Sequence, residues 1–304
     1  MFSQDLASEL KLIAKELRPR ELQHLFSVIK TAEDVGTQVE LHLHTIGKQR
    51  EAQVDFNGHP PRIILFRPSE TNGSRVLSSS DEHLLTARER FSIAHELGHF
   101  FAHQRFQLKP ARESRKYWQQ EAWMNEFAST LLVPDWLVTV WLSDIPEGRL
   151  ISPLTVRGWA REQCKVSEEV IAKTLCRARK GIGFIKASLM MGRKDGVPIL
   201  KTLFSDSGEG LFLPKVHSHI RNSALIKTLQ TKKLGIEEFP GCQLGLCKPQ
   251  DLSIAWRCVG FSSESSRDSR KERVAKDQKF WLSIAFSERA EYSKEGMSAT
   301  LFGS

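Results

Sequence analysis

His95, Glu96 and His99 stand in an H-E-x-x-H arrangement within TARERFSIAHELGHFFAH, residues 86–103. On a helix, residues four apart lie one above the other, so two imidazoles can be aimed at one ion. Glu96 then falls on a neighbouring face at the same level, placed to take a proton from water without ligating the metal. The pattern reads as two Zn²⁺ ligands and the general base of a metallopeptidase, in which zinc lowers the pKa of its bound water toward ~7 and polarises the scissile carbonyl. His103 continues the series, but it lies ~12 Å beyond His95 along a helix rising ~1.5 Å per residue, too far to share an ion with it. A third protein ligand must come from elsewhere.

The next helical stretch, SRKYWQQEAWMNEFASTLLVP at 114–134, supplies it. Glu121, Asn125, Ala128 and Leu132 share one stripe, which sets a carboxylate on a face otherwise made for burial, where a metal resolves its cost. Glu121 is thus the preferred third ligand and Glu126, turned off that stripe, the rival. The first helix has its own start signal: Thr86 and Glu89 have capping-box spacing, which predicts a helix from about Ala87 with Phe91, Ala94, Leu97, Gly98 and Phe101 on its apolar side. Small Gly98 lets another segment come close to the metal. Tyr117, Arg90 and His103 are weak candidates for an oxyanion donor.

ARERFSIAHELGHFFAH followed by EAWMNEFASTLLVP resembles the ImmA/IrrE family of bacterial zinc metallopeptidases, which pairs R-F-x-x-A-H-E-x-G-H with E-x-x-x-N-x-F-A-x-x-L-L-x-P. The likeness covers roughly residues 61–135. It implies a gluzincin-like fold with His95, His99 and Glu121 as zinc ligands, Glu96 as base, and Asn125 and Pro134 marking the second motif. Val133 departs from the Met common there, a volume-conserving change. The resemblance further implies a limited cut in a helix-turn-helix transcriptional repressor during a stress or DNA-damage response.

The rest of the chain must position these residues. Its 304 residues, 40% hydrophobic and 26% charged, suffice for two domains; the fold class expected is α+β. No apolar run reaches the ~20 residues that span a bilayer, the N-terminus is not signal-like, and five irregularly spaced cysteines suit a reducing compartment, so a cytoplasmic protein with no membrane partner is expected. A net charge of +8 is compatible with nucleic acid or an acidic partner without establishing either.

A zinc peptidase domain is assigned to 1–148. Within it, residues 4–34 read as one or two helices around Pro19 that cover the zinc domain. Val39–Thr45 and RIILFR at 62–67 read as strands of a small sheet beside the catalytic helix, with His42 and His44 on a solvated face, and 68–82 as a polar loop at the cleft rim. The basic run QRFQLKPARESRKYW between the motif helices is read as a solvated face. Residues 149–182 form a helix-turn-helix-like segment, with helices from Pro153 and after Ser167, where Glu168 and Glu169 disfavour DNA contact. Residues 183–304 form a C-terminal mixed α+β domain, a sensor or docking unit, with strands FIKASLMM, VPILKTLF, GLFLP, LSIAWRCVGF and KFWLSIAFS. In this position some family members carry a GAF-like sensor. Cys242, Cys247 and Cys258 are read as free structural thiols, and 262–279 as a charged loop. The competing function is a DNA-binding transcriptional regulator with a structural zinc.

Overall fold

The structure, a computed structural model, describes residues 2–18, 26–44, 51–108, 115–146, 149–191, 197–209, 211–244, 250–261 and 278–286. Two compact units result: 1–141 with 156–174, and 142–155 with 175–304. Both mix helices with a sheet. Among the described residues no helix is long and apolar enough to cross a membrane.

In the first unit α1 (Phe2–Glu16) and α2 (Val28–Asp34) precede β1 (Gln38–His44), β2 (Ala52–Asp55), β3 (Arg62–Pro68) and β4 (Gly73–Leu77). The sheet order is β2-β3-β1-β4, with β1 and β3 parallel and both outer strands antiparallel to their neighbours. Val39, Leu41, Ile63 and Leu65 are buried on one face, which follows from the apolar residues recurring every second position. On the other, His42 Nε2 lies 2.9 Å from Glu40 Oε1 and the His44 ring stacks on Phe66, so these histidines are engaged locally. The 68–82 stretch read as a loop instead contains β4 and a short 3₁₀ turn, Ser79–Leu84; four of the five β4 residues are exposed, so no apolar alternation marked it.

A 20-residue helix, α3 (Ala87–Phe106), crosses beneath, and α4 (Arg115–Leu132) packs along it. Thr86 Oγ1 accepts from Glu89 N–H while Glu89 returns a carboxylate to Thr86 N–H, so the capping box sets the first turn. Bidentate contacts from Arg67 on β3 to the same carboxylate tie the helix start to the sheet. Helix α1 buries Leu6, Leu10 and Ile13 and packs on α3 and α4, as a covering helix should. Leu22, Leu25 and the centre of the basic run, residues 109–114, lie outside the described residues.

Helices α5 (Asp135–Ser143), α6 (Pro153–Gly158) and α7 (Glu168–Ala178) follow, with a π-helical turn, Trp159–Cys164, continuing α6. There the Trp159 ring stacks on Trp141 at 4.7 Å, and the Trp141 indole N–H donates to Gln163 Oε1. Residues 156–174 belong to the first unit, so most of the segment read as helix-turn-helix-like is part of that unit's body. Val170, Ile171, Ala172, Thr174, Leu175 and Cys176 of α7 are all buried.

The second unit is a six-stranded antiparallel sheet, β7-β6-β5-β10-β9-β8, with α8 (Ser223–Thr231) on one face. Its strands are β5 (Ile182–Met191), β6 (Pro198–Ser207), β7 (His219–Ile220), β8 (Leu234–Cys242), β9 (Gln250–Phe261) and β10 (Gln278–Phe286). Leu225, Ile226 and Leu229 of α8 enter a core with Leu200, Ile254, Trp256 and Leu282. GLFLP, expected as a strand, is not one: Leu211 and Leu213 pack as a loop over Gly183, where a Cβ would come within 2.7 Å of both side chains. Cys164, Cys176, Cys242 and Cys258 are free thiols; Cys247 and residues 262–277 lie outside the described residues.

Candidate active site

Gly98 explains how two helices come close enough to share a site. A Cβ there would stand 2.9 Å from Met124 Sδ and 3.2 Å from Phe127 Cδ1, both on α4, so any side chain larger than hydrogen would have to displace them. Ala94, Leu97, Phe101, Met124, Phe127 and Ala128 fill the shared core. On α3, His95 lies about one turn before Gly98 and His99 directly after it, and α4 presents Glu121 opposite them.

The three side chains converge. Glu121 Oε2 lies 3.1 Å from His95 Nε2, and Oε1 lies 3.3 Å from His99 Nε2. One donor atom from each falls within 4.8 Å of the others, the one such His/Cys/Asp/Glu cluster among the described residues. A tetrahedral ion with bonds of ~2.1 Å holds its donors ~3.4 Å apart, so the spacing suits zinc, and two imidazoles with one carboxylate are a donor set of catalytic zinc sites. One further group aims a donor. Asn125 Oδ1 lies 3.0 Å from His95 Nδ1; if it accepts the Nδ1 proton, Nε2 keeps its lone pair for a metal. This role for Asn125 was not legible from periodicity, which only placed it on the Glu121 stripe.

Glu96 is held from the sheet. Its Oε2 accepts the Val54 N–H at 3.0 Å. Phe66 N–H bonds Glu51 C=O across β2 and β3, so by antiparallel alternation Ala52 and Val54 turn their amides away from β3. Strand β2 therefore presents a free edge beside α3, and one of its amides orients Glu96. The strand was missed in the sequence because AQVD is half-buried throughout and shows no alternation.

Electrostatics divide the two carboxylates. Burial raises the pKa of Glu96, outweighing the imidazoles and the Val54 N–H that pull it down. Burial would raise Glu121 as well, but hydrogen bonds from His95 and His99 outweigh it and hold that carboxylate well below its usual range. For His95, burial favours the neutral ring, yet the bond to Glu121 and the charge of Glu96 raise its pKa. Glu121 is thus suited to stay ionised as a ligand, and Glu96, with its pKa raised, to accept a proton more readily than an exposed carboxylate.

The rivals are placed elsewhere. Glu126 pairs with Lys11 of α1 at 3.5 Å. Arg90 is buried, donating to Phe26 C=O and paired with Glu82, away from the cluster. Tyr117 packs edge-on against Trp118, one turn before Glu121.

A two-histidine, one-carboxylate cluster on adjacent helices beside a small sheet is the arrangement of a metallopeptidase domain, and the comparisons agree. Residues 67–175 match the Peptidase_M78 family, described as the IrrE N-terminal-like domain. Over that stretch the chain carries an ImmA/IrrE-type domain, and a metallopeptidase domain of this kind implies a metal. No curated protein matches it. Among solved structures, one described as a Mycobacterium tuberculosis transcriptional regulator is similar in fold, with a TM-score of 0.51 and 12% identity over 92% of this chain and 75% of that one.

Proposed function

We propose that the protein is a zinc-dependent endopeptidase of the HExxH type that makes a limited, site-specific cut in a regulatory protein. The observation that carries this is the convergence of His95, His99 and Glu121 beside a base, Glu96, anchored to a free strand edge. Zinc held by the three ligands would supply Lewis acidity, activating water and polarising the scissile carbonyl. Glu96 takes the proton from the attacking water and delivers it to the leaving amine. Asn125 fixes the His95 ring, and Val54 keeps the Glu96 carboxylate turned toward the cluster. The free edge of β2 offers backbone groups to an extended substrate.

The substrate favoured is a helix-turn-helix transcriptional repressor in a stress or DNA-damage response, on the family resemblance. The similar structure is described as a transcriptional regulator, which fits a regulatory setting. Residues 183–304 act as a sensor or docking domain, GAF-like in architecture only, and the protein works in the cytoplasm, where its free thiols persist. A DNA-binding regulator with structural zinc is disfavoured on two counts. A closed structural site takes four protein ligands, and the cluster among the described residues has three. In addition, the second helix of the helix-turn-helix-like segment spends six side chains on burial, which suits a brace.

The test is Glu96→Gln in the full chain. Zinc content should stay stoichiometric while cleavage of a co-expressed repressor encoded beside this gene stops. Cleavage at an unchanged rate in that variant removes Glu96 as base.

A further inference from the structure

Beyond Glu96 the sheet, α3 and the turn after α2 line an open-sided cavity of about 450 Å³, with Val35, Phe56, Pro61, Phe100, His103 and Gln107 on its walls and Gln104 exposed at its rim. Among the described residues its walls carry no carboxylate, lysine or arginine. Nδ1 of His103 is shut off from solvent and makes no hydrogen bond among the described residues, while the ring lies 4.1 Å from that of Phe56.

The cavity is in line with the reacting groups. His103 follows Glu96 by seven residues, which returns it to the same face of α3 about 10.5 Å further along the axis. On the strand side, Val54 meets Glu96, and Phe56, two residues on, meets His103. Strand and helix therefore run together from the base to the cavity. An extended chain lying on the free edge of β2 advances ~3.3 Å per residue, so the same span takes about three residues.

We propose that this cavity is a specificity pocket receiving a large apolar side chain of the substrate, about three residues from the bond that is cut. The inference rests on the endopeptidase reading. Val35, Phe56, Pro61 and Phe100 supply apolar walls, Gln104 and Gln107 add neutral amides, and a charged side chain entering it would find no counter-charge among the described lining residues.

The zinc-loaded full chain is incubated with a library of extended peptides, and the cut positions are read by mass spectrometry. Phe, Tyr, Trp, Leu or Met should exceed Ala by about tenfold or more at one position some three residues from the cut. Filling the cavity with Val35→Trp, or blocking its rim with Gln104→Trp, should erase that ratio; the far-ultraviolet spectrum identifies any variant that fails to fold. Equal selectivity in wild type and both folded variants, or enrichment of charged residues at that position, overturns the pocket. Complete absence of cleavage defeats the endopeptidase reading separately. In that event N-acetyl-phenylalanine amide, titrated while the His103 imidazole nitrogens are followed by NMR, judges the pocket alone. A shift lost in Val35→Trp supports it, and an unmoved wild-type signal overturns it.

Discussion

Replacing Gly98 with alanine tests whether helix approach sets the metal site. Taken alone, Gly→Ala inside a helix stabilises by ~1 kcal/mol. Here the new methyl must share space with Met124 Sδ at 2.9 Å and the Phe127 ring at 3.2 Å, and both residues are 1% exposed, with no solvent side to move into. Overpacking a closed core costs ~1–3 kcal/mol, so the net change in stability is a loss between roughly zero and 2 kcal/mol. The site should suffer more than the fold. Glu121 is one turn from Met124 on the same helix, and metal sites tolerate displacements of only about 0.2 Å, so pushing α4 outward should weaken zinc binding by about tenfold or more. Competition against a chromophoric chelator gives the affinity, and urea unfolding of the metal-free chain gives the stability. In a Met124→Ala background, itself destabilised by roughly 2–5 kcal/mol, the methyl has room, and Gly98→Ala should become neutral or stabilising. A coupling of at least about 1 kcal/mol is expected, beyond the ~0.3–0.5 kcal/mol scatter of independent sites. If Gly98→Ala instead stabilises the otherwise unaltered chain and leaves zinc affinity unchanged, the close approach of α3 and α4 is not what holds the ligands together.

Asn125→Ala should lower zinc affinity by about 10- to 100-fold, while Asn125→Asp, which keeps an acceptor for His95 Nδ1, should retain most of it in the same competition assay. Glu89 gives a pH-dependent result. Burial alone would raise its pKa, but Arg67 and the Thr86 N–H and hydroxyl together depress it, so its contribution is present above the unfolded value of ~4.3 and is lost as pH falls through the lower folded one. Glu89→Gln should therefore be less stable by ~1 kcal/mol from pH 7 down to about 5, with the gap closing below about 4.3 in urea titrations; a gap independent of pH would contradict this. Arg90→Met strands Glu82 without its buried partner and should cost ~3–5 kcal/mol in urea unfolding, against less than ~1 kcal/mol for loss of the exposed Lys15–Asp135 pair.

The site was legible where the chemistry is local in sequence. Thr86 and Glu89 announce their reciprocal bonds by spacing alone, and two histidines four apart can face one ion on any straight helix. Glu121 could be preferred over Glu126 because α4 is amphipathic; Glu126 pairs with Lys11 of α1. What escaped depends on contacts far apart in the chain. Strand β2 forms because β3 offers it an edge, not because AQVD favours extension. The Val54 bond to Glu96 spans 42 residues and involves a backbone amide, which carries no residue signature. In the second unit β8 was hidden by LGIEEFPGC, whose Gly235 looks like a breaker. It is required there instead, since a Cβ would stand 2.5 Å from the Trp256 indole lying across it. GLFLP erred the other way: Leu211 and Leu213 fill a core from a loop while Phe212 stays exposed, which alternation cannot distinguish from a strand.

The hydrogen bond between Val54 and Glu96 makes recognition and reactivity compete for one proton donor. A ligand whose carbonyl claims that amide removes the clamp from the carboxylate at the moment it arrives, leaving a less restrained and more basic oxygen. A peptide engaging only the far side of the cleft would leave the clamp closed. If the protein is the endopeptidase proposed above, docking on that single strand position would separate chains that are merely nearby from those aligned to be cut.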